Sequence, residues 1–371
     1  MNIIKKNIIK IINFFFTTIL TFFLFDFLIG NYVYKKILRK NYFDVDTGMG
    51  EQHPIYHHGL KKNYNTSTAG WGKKNFSFCS DNYGFRNKCN LKYNSKNFDI
   101  GIIGDFFTIG FGLSYDEMFS TIISKKLKNK KIANLASSSY APSIHFAKIN
   151  YLLNNGFKFN EIIVFIDLSD LHDDTIKYEL VENKVLSKSN DDWFLENYSF
   201  FEKFMHFLSR KFKVTNYLVL STNEFLIKKG IKDKSISHWV LYNPRSSWTY
   251  NYEKKWYLDK NLEDVINHSV SNMEKLYQLL QKNNIPLSVA VYPWPSTLYF
   301  DVENNLQLQI WKNFCVTKCK TFFNMMHPFF EIKKEIGSKE LYFKYYIDGD
   351  IHLNENGNQI LAETFLANYK D

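Results

Sequence analysis

The chain lacks the marks of a modular or nucleic-acid-binding protein. No stretch of linker composition separates a second domain, and no internal repeat runs along the 371 residues. The formal charge of +10 is carried by lysines scattered singly. They are not banked on one face beside spaced aromatics, so they read as solvating charge and no nucleic-acid partner is expected. Cysteine is sparse, with four in the whole chain, too few to decide a compartment. Cys315 and Cys319 stand four apart in a predicted helix without a neighbouring histidine pair, so no zinc site is expected there. Cys79 and Cys89 share a loop-rich stretch and can form a disulfide if the domain lies outside the cytoplasm. His53, His57 and His58, in HPIYHHGL, have no carboxylate or cysteine at ligand spacing. A solvated or hydrogen-bonded loop is the expectation, with no metal and no cofactor. Alanine and glycine are scarce while Asn, Lys, Ile and Phe are heavily used, a pattern of genomic base bias. What is present, 45% hydrophobic and 18% aromatic residues, excludes a disordered chain.

One long apolar run stands out. Ile11–Gly30, IINFFFTTILTFFLFDFLIG, is 20 residues with a single charge, Asp26. As a helix it spans about 30 Å, the thickness of a bilayer core. Lys5, Lys6 and Lys10 precede it, and Lys35, Lys36, Arg39 and Lys40 follow, with Tyr32 and Tyr34 at interfacial positions. No small-residue cleavage site follows, so an uncleaved single-pass anchor is expected. The similar positive charge on both flanks leaves its orientation open.

Residues 1–40 are therefore read as the anchor, 41–97 as an irregular preamble and 98–371 as an α/β domain. Strands are predicted at Phe98–Gly104, Lys131–Leu135, Glu161–Asp167 and Ile285–Tyr292. Helices are predicted from the Ser114 capping box to about Lys128, at Ile144–Asn154, at Leu262–Asn283 and from about Glu355 to Tyr369. Along Leu262–Asn283, Val265, Met273, Leu276, Tyr277 and Leu280 form the side to be buried. Strands alternating with helices imply a parallel sheet covered on both faces, a three-layer α/β/α sandwich. An aromatic and basic insertion, about 175–250, breaks the alternation and includes an amphipathic helix at Phe200–Phe212. It is expected to pack on the α/β body or to wall a substrate cleft.

Chemistry in such sheets gathers at the carboxyl ends of the strands. There the chain reads Gly104-Asp105-Phe106-Phe107-Thr108-Ile109-Gly110, then Asn134-Leu135-Ala136-Ser137-Ser138-Ser139-Tyr140, then Asp167-Leu168-Ser169-Asp170. Before the last helix comes Asp348-Gly349-Asp350-Ile351-His352-Leu353-Asn354. In order and spacing these blocks resemble the SGNH, or GDSL-type, hydrolase family from Phe98 to the C-terminus, the insertion excepted. The last block is similar to the Asp-x-His form of members that modify acyl groups on envelope polysaccharides. SDNYGFRN (Ser80–Asn87) and VYPWPS (Val291–Ser296) are reminiscent of membrane-anchored members.

The resemblance implies an Asp350–His352 catalytic pair and an oxyanion hole from the backbone N–H groups of residues 106 and 136 and the Ser169 side chain. Asp105, Thr108 and Asp170 lie beside it. The departures are chemical. Phe106 stands at the nucleophile position, Ala136 at that of the second-block glycine, and Ser169 at that of the third-block asparagine. Phenylalanine has no nucleophilic atom, so the covalent route is closed. Three readings follow: an SGNH-like membrane protein that binds an acylated glycan or ester or regulates an active relative; a working hydrolase or acyl transferase using Thr108, one of Ser137, Ser138 and Ser139, or a water activated by His352; or a structural membrane protein. Resemblance to envelope-facing members implies an extracytoplasmic, periplasmic domain.

Overall fold

The computed structural model describes residues 2–38, 47–71, 74–188, 200–250 and 261–370. They fall into two compact units, one of 1–43 with 192–235 and one of 44–191 with 236–371.

The second unit is built on a parallel sheet of β1 (Asn97–Ile103), β2 (Ile132–Asn134), β3 (Lys158–Ile166), β4 (Leu287–Val291) and β5 (Thr321–Asn324). The spatial order is β2-β1-β3-β4-β5, with every neighbouring pair parallel. Ile162–Ile166 of β3 is buried without a break, as a strand covered on both faces requires. The helices are α1 (Phe119–Lys126), α2 (Pro142–Asn154), α3 (Leu262–Lys282), α4 (Leu306–Cys315), α5 (His327–Tyr345) and α6 (Glu355–Asn368). The chain steps outward from β1 to β2 and back across β1 to β3. Right-handed crossovers therefore set α1 and α2 on opposite faces. α3 packs along α2, while α6 packs along α1 and α5, which completes the three layers. α3 buries Val265, Met273, Leu276 and Leu280 as expected, with Tyr277 half-buried. β5 and α5 have no counterpart in the sequence expectation; TFFN is too short a run to announce a strand.

The preamble, expected to be irregular, carries two antiparallel hairpins, Gly50–His53 with His57–Leu60 and Asn65–Trp71 with Lys74–Cys79. Phe76 and Phe78 of the second are buried with their rings against Phe111, which holds the hairpin to the body. SDNYGFRN forms a knot beyond it. Asp81 accepts from the N–H groups of Tyr83 at 2.8 Å and Phe85 at 3.1 Å. Gly84 takes φ +80° with its Cα against the Leu60 carbonyl, where no side chain fits. The buried Arg86 guanidinium donates to the carbonyls of Cys79, Ser77 and Leu113, each at 3.1 Å, and lies 4.2 Å over the Phe78 ring. Its own N–H donates to the Asn134 carbonyl at 3.1 Å, clamping the knot to the edge of β2.

Two disulfides are formed, Cys79–Cys89 and Cys315–Cys319. The second corrects the expectation of a continuous helix: α4 ends at Cys315 and a turn returns Cys319 to it. The insertion, expected to pack on the α/β body or to wall a cleft, has parts in both compact units. Its first part is an antiparallel hairpin, Tyr178–Val181 with Lys184–Ser187. Its last part re-enters the α/β core, where Trp248 Nε1 donates to the Leu168 carbonyl at 2.9 Å and Arg245 pairs with Asp173 at 2.8 Å. The middle, 192–235, groups instead with the N-terminal segment. Residues 189–199 of the insertion lie outside the described residues.

In the first unit a helix, Asn2–Phe25, continues through π-type turns to Leu38. Its Asn7–Leu38 stretch is long and apolar enough to cross a membrane. Thr17, Thr18 and Thr21 return their hydroxyls to carbonyls one turn back at 2.8 Å, so they present no unpaired donor. Of the flanking basic residues, Arg39 and Lys40 lie outside the described residues.

Arg86 generates a stability prediction. Arg86→Ala should cost about 3 kcal/mol or more, since it orphans buried carbonyls at about 1–3 kcal/mol each. Arg86→Lys should recover less than half of that, because an ammonium cannot fork to several carbonyls. Denaturant midpoints of the two variants against the parent check both statements.

Candidate active site

Asp350 and His352 occupy the loop between α5 and α6. The Tyr342 hydroxyl accepts from the N–H groups of Gly349 at 2.9 Å and Asp350 at 3.1 Å, and Asn354 caps α6. The cap is thus Asn354, which leaves Asp350 for another partner. Asp350 Oδ1 accepts from the His352 backbone N–H at 3.0 Å and lies 2.6 Å from His352 Nδ1. Trp71 Nε1 donates to Asp350 Oδ2. This geometry places a proton on Nδ1, which leaves Nε2 unprotonated in the neutral ring, as a base requires. Burial disfavours the imidazolium, but the Asp350 charge and hydrogen bond outweigh it and raise the His352 pKa above 6.5. The same pairing lowers Asp350 against its own burial.

Aromatic rings surround the imidazole. Phe107 lies 4.7 Å from it between ring centres, Phe106 5.6 Å and Trp71 5.9 Å. Phe106 opens a short helix, Phe106–Ile109, directly after β1, capped by Asp105 through the Phe107 N–H at 3.0 Å. Gly104 permits that tight entry: a side chain there would strike the Thr108 hydroxyl and the Phe165 carbonyl. Thr108 is accordingly buried beneath the strand end. The serine run is tied elsewhere. Ser137 N–H donates to the Gly104 carbonyl at 3.3 Å, the Ser138 carbonyl lies 2.6 Å from His58 Nε2, and Ser139 Oγ meets Lys177 at 3.5 Å. Among the described residues no hydroxyl or thiol is hydrogen-bonded to His352, whose side-chain partner is Asp350.

The expected oxyanion donors are not equivalent. The Ala136 N–H is taken by Asn134 Oδ1 at 3.1 Å, and Asn134 Nδ2 in turn holds the Thr108 carbonyl at 2.7 Å. Ser169 Oγ donates to Asp167 Oδ1 at 2.5 Å and its N–H to the same atom at 2.7 Å. Two of the three groups expected to face a substrate are thus engaged inside the protein. A short side chain at 169 turns back to the nearest buried carboxylate. Phe106 N–H makes no hydrogen bond among the described residues.

Beneath the pair lies an acidic network at the carboxyl ends of β1 and β3, the point where the strand order reverses and ligands bind in open α/β sheets. Tyr292 OH reaches Asp105 and Asp167, each at 3.0 Å, and Trp294 Nε1 donates to Asp167 at 2.7 Å. Burial, then the neighbouring Asp167, raises the Asp105 pKa, so Asp105 holds a proton that a free carboxylate would lose. Asp170 is raised by the same two causes and accepts from the Asp167 N–H at 3.1 Å, out of reach of solvent. Tyr292 and Trp294 belong to VYPWPS, whose place after a strand is visible in the sequence; their partners are not. Trp71 has no sequence signal at all, since 279 residues separate it from Asp350.

The three preamble histidines lie in and beside the first hairpin and are hydrogen-bonded. His57 Nδ1 and His58 Nδ1 are 2.8 Å apart, and His57 Nε2 is 2.6 Å from Ser187 Oγ. His53 stacks on Tyr56 at 3.6 Å, and its burial, with Lys148 and Lys62 nearby, lowers its pKa to about 4.

No family model and no curated protein match the chain. Solved structures of esterases are similar to it at low identity. A member of the lipolytic G-D-S-L family from Veillonella parvula is 10% identical, with 72% of this chain and 96% of that one covered and a TM-score of 0.39. An acetylxylan esterase, Axe2, from Geobacillus stearothermophilus is 10% identical over 73% and 93% of the two chains, with a TM-score of 0.38. AlinE4, an SGNH-hydrolase family esterase, is 14% identical over 74% and 96%, with a TM-score of 0.32.

The raised His352 pKa sets a pH dependence with a definite sign. The imidazolium–Asp350 attraction is fully present below the unfolded value of 6.5 and is lost as pH rises through the higher folded value. His352→Asn should therefore destabilise the protein more near pH 6 than near pH 9. Melting temperatures of parent and variant across that range test it; an equal loss at both ends would contradict the assignment.

Proposed function

We propose that this is a membrane-tethered, SGNH-like protein that binds an ester-bearing or acylated glycan beside the Asp350–His352 pair and does not turn it over by the covalent route. The observation that carries the reading is the Phe106 ring 5.6 Å from the imidazole, where an esterase needs a hydroxyl about 2.6–3.2 Å from the histidine nitrogen. The engagement of Ala136 N–H by Asn134 and of Ser169 Oγ by Asp167 supports it further. Trp71 and Phe106, both half-buried, offer flat apolar faces for a ligand, and Trp71 is a natural reporter. Its fluorescence should change on titration with an acetylated oligosaccharide more than with the deacetylated form.

The decisive experiment restores the hydroxyl. The parent should not react with a fluorophosphonate. Phe106→Ser should be labelled at residue 106, and labelling should vanish when His352→Ala is added. Ester turnover by the variant should stay low, because each missing oxyanion donor costs about 10²–10³. Labelling of the parent, or a folded Phe106→Ser that stays unlabelled, would refute the reading.

The helix Asn7–Leu38 supports a single-pass anchor. Two disulfides support an α/β domain outside the cytoplasm, in an oxidising compartment such as the periplasm. After mild reduction of intact cells, an impermeant maleimide should label Cys89 and Cys319, which are half-buried, ahead of the buried Cys79 and Cys315. Labelling that requires lysis would place the domain on the other side.

A further inference from the structure

Within the first unit, the middle of the insertion forms two helices, Phe200–Lys211 and Lys213–Lys228, turning at Phe212. Their outer surface bares many large apolar side chains, interspersed with the exposed charges of Lys203, Arg210, Lys211, Glu224 and Lys228. Phe200 is 86% exposed and Phe201 68%, and Phe204, Phe207, Leu218, Val219, Leu220 and Phe225 are exposed as well. Large apolar side chains bared along both arms of a hairpin are foreign to a surface in water.

The hairpin is joined to the apolar helix at its one charge. Asp26 is fully buried, its Oδ1 accepting from Val214 N–H at 2.9 Å and its Oδ2 from Thr215 N–H at 2.7 Å and Thr215 Oγ1 at 2.6 Å. A carboxylate in an apolar span is tolerated only when paired in this manner, and here it sits on the N-terminal turn of the second arm. Gly30 makes room for it, since any side chain there would overlap the carboxylate. Around this contact Phe212 meets Phe23 at 5.6 Å and Phe27 at 6.0 Å, and Tyr217 meets Tyr34 at 6.2 Å. From Lys10 to Asp26 the helix rises about 24 Å, which puts Asp26 near the far edge of a hydrocarbon core of about 30 Å. The hairpin is bound at that depth.

We infer that the hairpin of residues 200–228 is a second membrane-seated element, lying in the far leaflet of a phospholipid bilayer beside the anchor and fixed there by Asp26. The occupant of its apolar surface is lipid, because that surface continues the exposed apolar surface of a helix long enough to span. Lys211 fits the same setting, its ammonium 6.0 Å from the Phe27 ring and 5.9 Å from Phe207, with its stem over apolar rings and its charge able to rise to the headgroups. The inference rests on the anchor's crossing a membrane and adds a purpose for the insertion.

The test uses the full chain in phosphatidylcholine–phosphatidylglycerol vesicles. Single cysteines are introduced at Phe204→Cys, Val219→Cys, Phe15→Cys and Lys339→Cys and labelled with a nitroxide under non-reducing conditions, so that the native disulfides persist. Collision with oxygen and with a water-soluble nickel chelate is then measured at each site. Lipid burial predicts an oxygen-to-nickel ratio several-fold higher at 204, 219 and 15 than at the exposed 339. A high ratio at 15 with nickel access at 204 and 219 like that at 339 would overturn the hairpin alone. Exclusion of both reagents at 204 and 219 would mean that protein, another copy or a partner, covers the surface, and would overturn it too. A low ratio at 15 would remove the anchor reading and the inference with it.

Discussion

Buried polar atoms at the carboxyl edge of a parallel sheet have no water to turn to, and satisfying them decides what each residue around His352 can do. Asp105 and Asp167 follow β1 and β3, and the Tyr292 hydroxyl reaches both. Trp294 and Ser169 supply donors to Asp167, and Asn134 ties the turn after β2 to the turn after β1. An unsatisfied group in such a place costs about 1–3 kcal/mol, more if it is charged. The network therefore holds its donors firmly, and groups that resemble an oxyanion hole in sequence are directed inward.

That inward direction and the ring at position 106 act together. Phe106 packs with Trp71 and Phe111, so the space before the imidazole is lined by apolar surface. Trp71 comes from a preamble hairpin and its indole N–H completes the shell of Asp350. The pair is thereby oriented, and the ring at position 106 brings no hydroxyl to it.

The preamble and the insertion differ in what they do for the body. SDNYGFRN is an internal brace, in which one guanidinium satisfies carbonyls from two stretches of chain and the Arg86 N–H extends the edge of β2. The ends of the insertion serve the core beside β3, where burial opposes the Asp173 carboxylate but Arg245, with Lys177 and His172, holds it ionised. Its middle answers to Asp26 instead, a single charge in an apolar helix that needs donors from elsewhere in the chain.

Periodicity and local chemistry are legible in one dimension, and so the sequence alone determined the apolar span, four of the five sheet strands, the long helix α3 and the Asp350–His352 spacing. That position 106 carries a ring and no hydroxyl was legible too, because side-chain identity needs no geometry. What only the tertiary structure decided depends on partners far apart in the chain: Trp71 on Asp350, Tyr292 between two aspartates, Arg86 on the edge of β2, the hairpin on Asp26. The inward turn of Ser169 belongs with these, although its partner is only two residues away. A hydroxyl at that position can face a pocket or a carboxylate, and the choice follows from which of them is buried. Burial is a property of the folded chain, and residue order does not carry it.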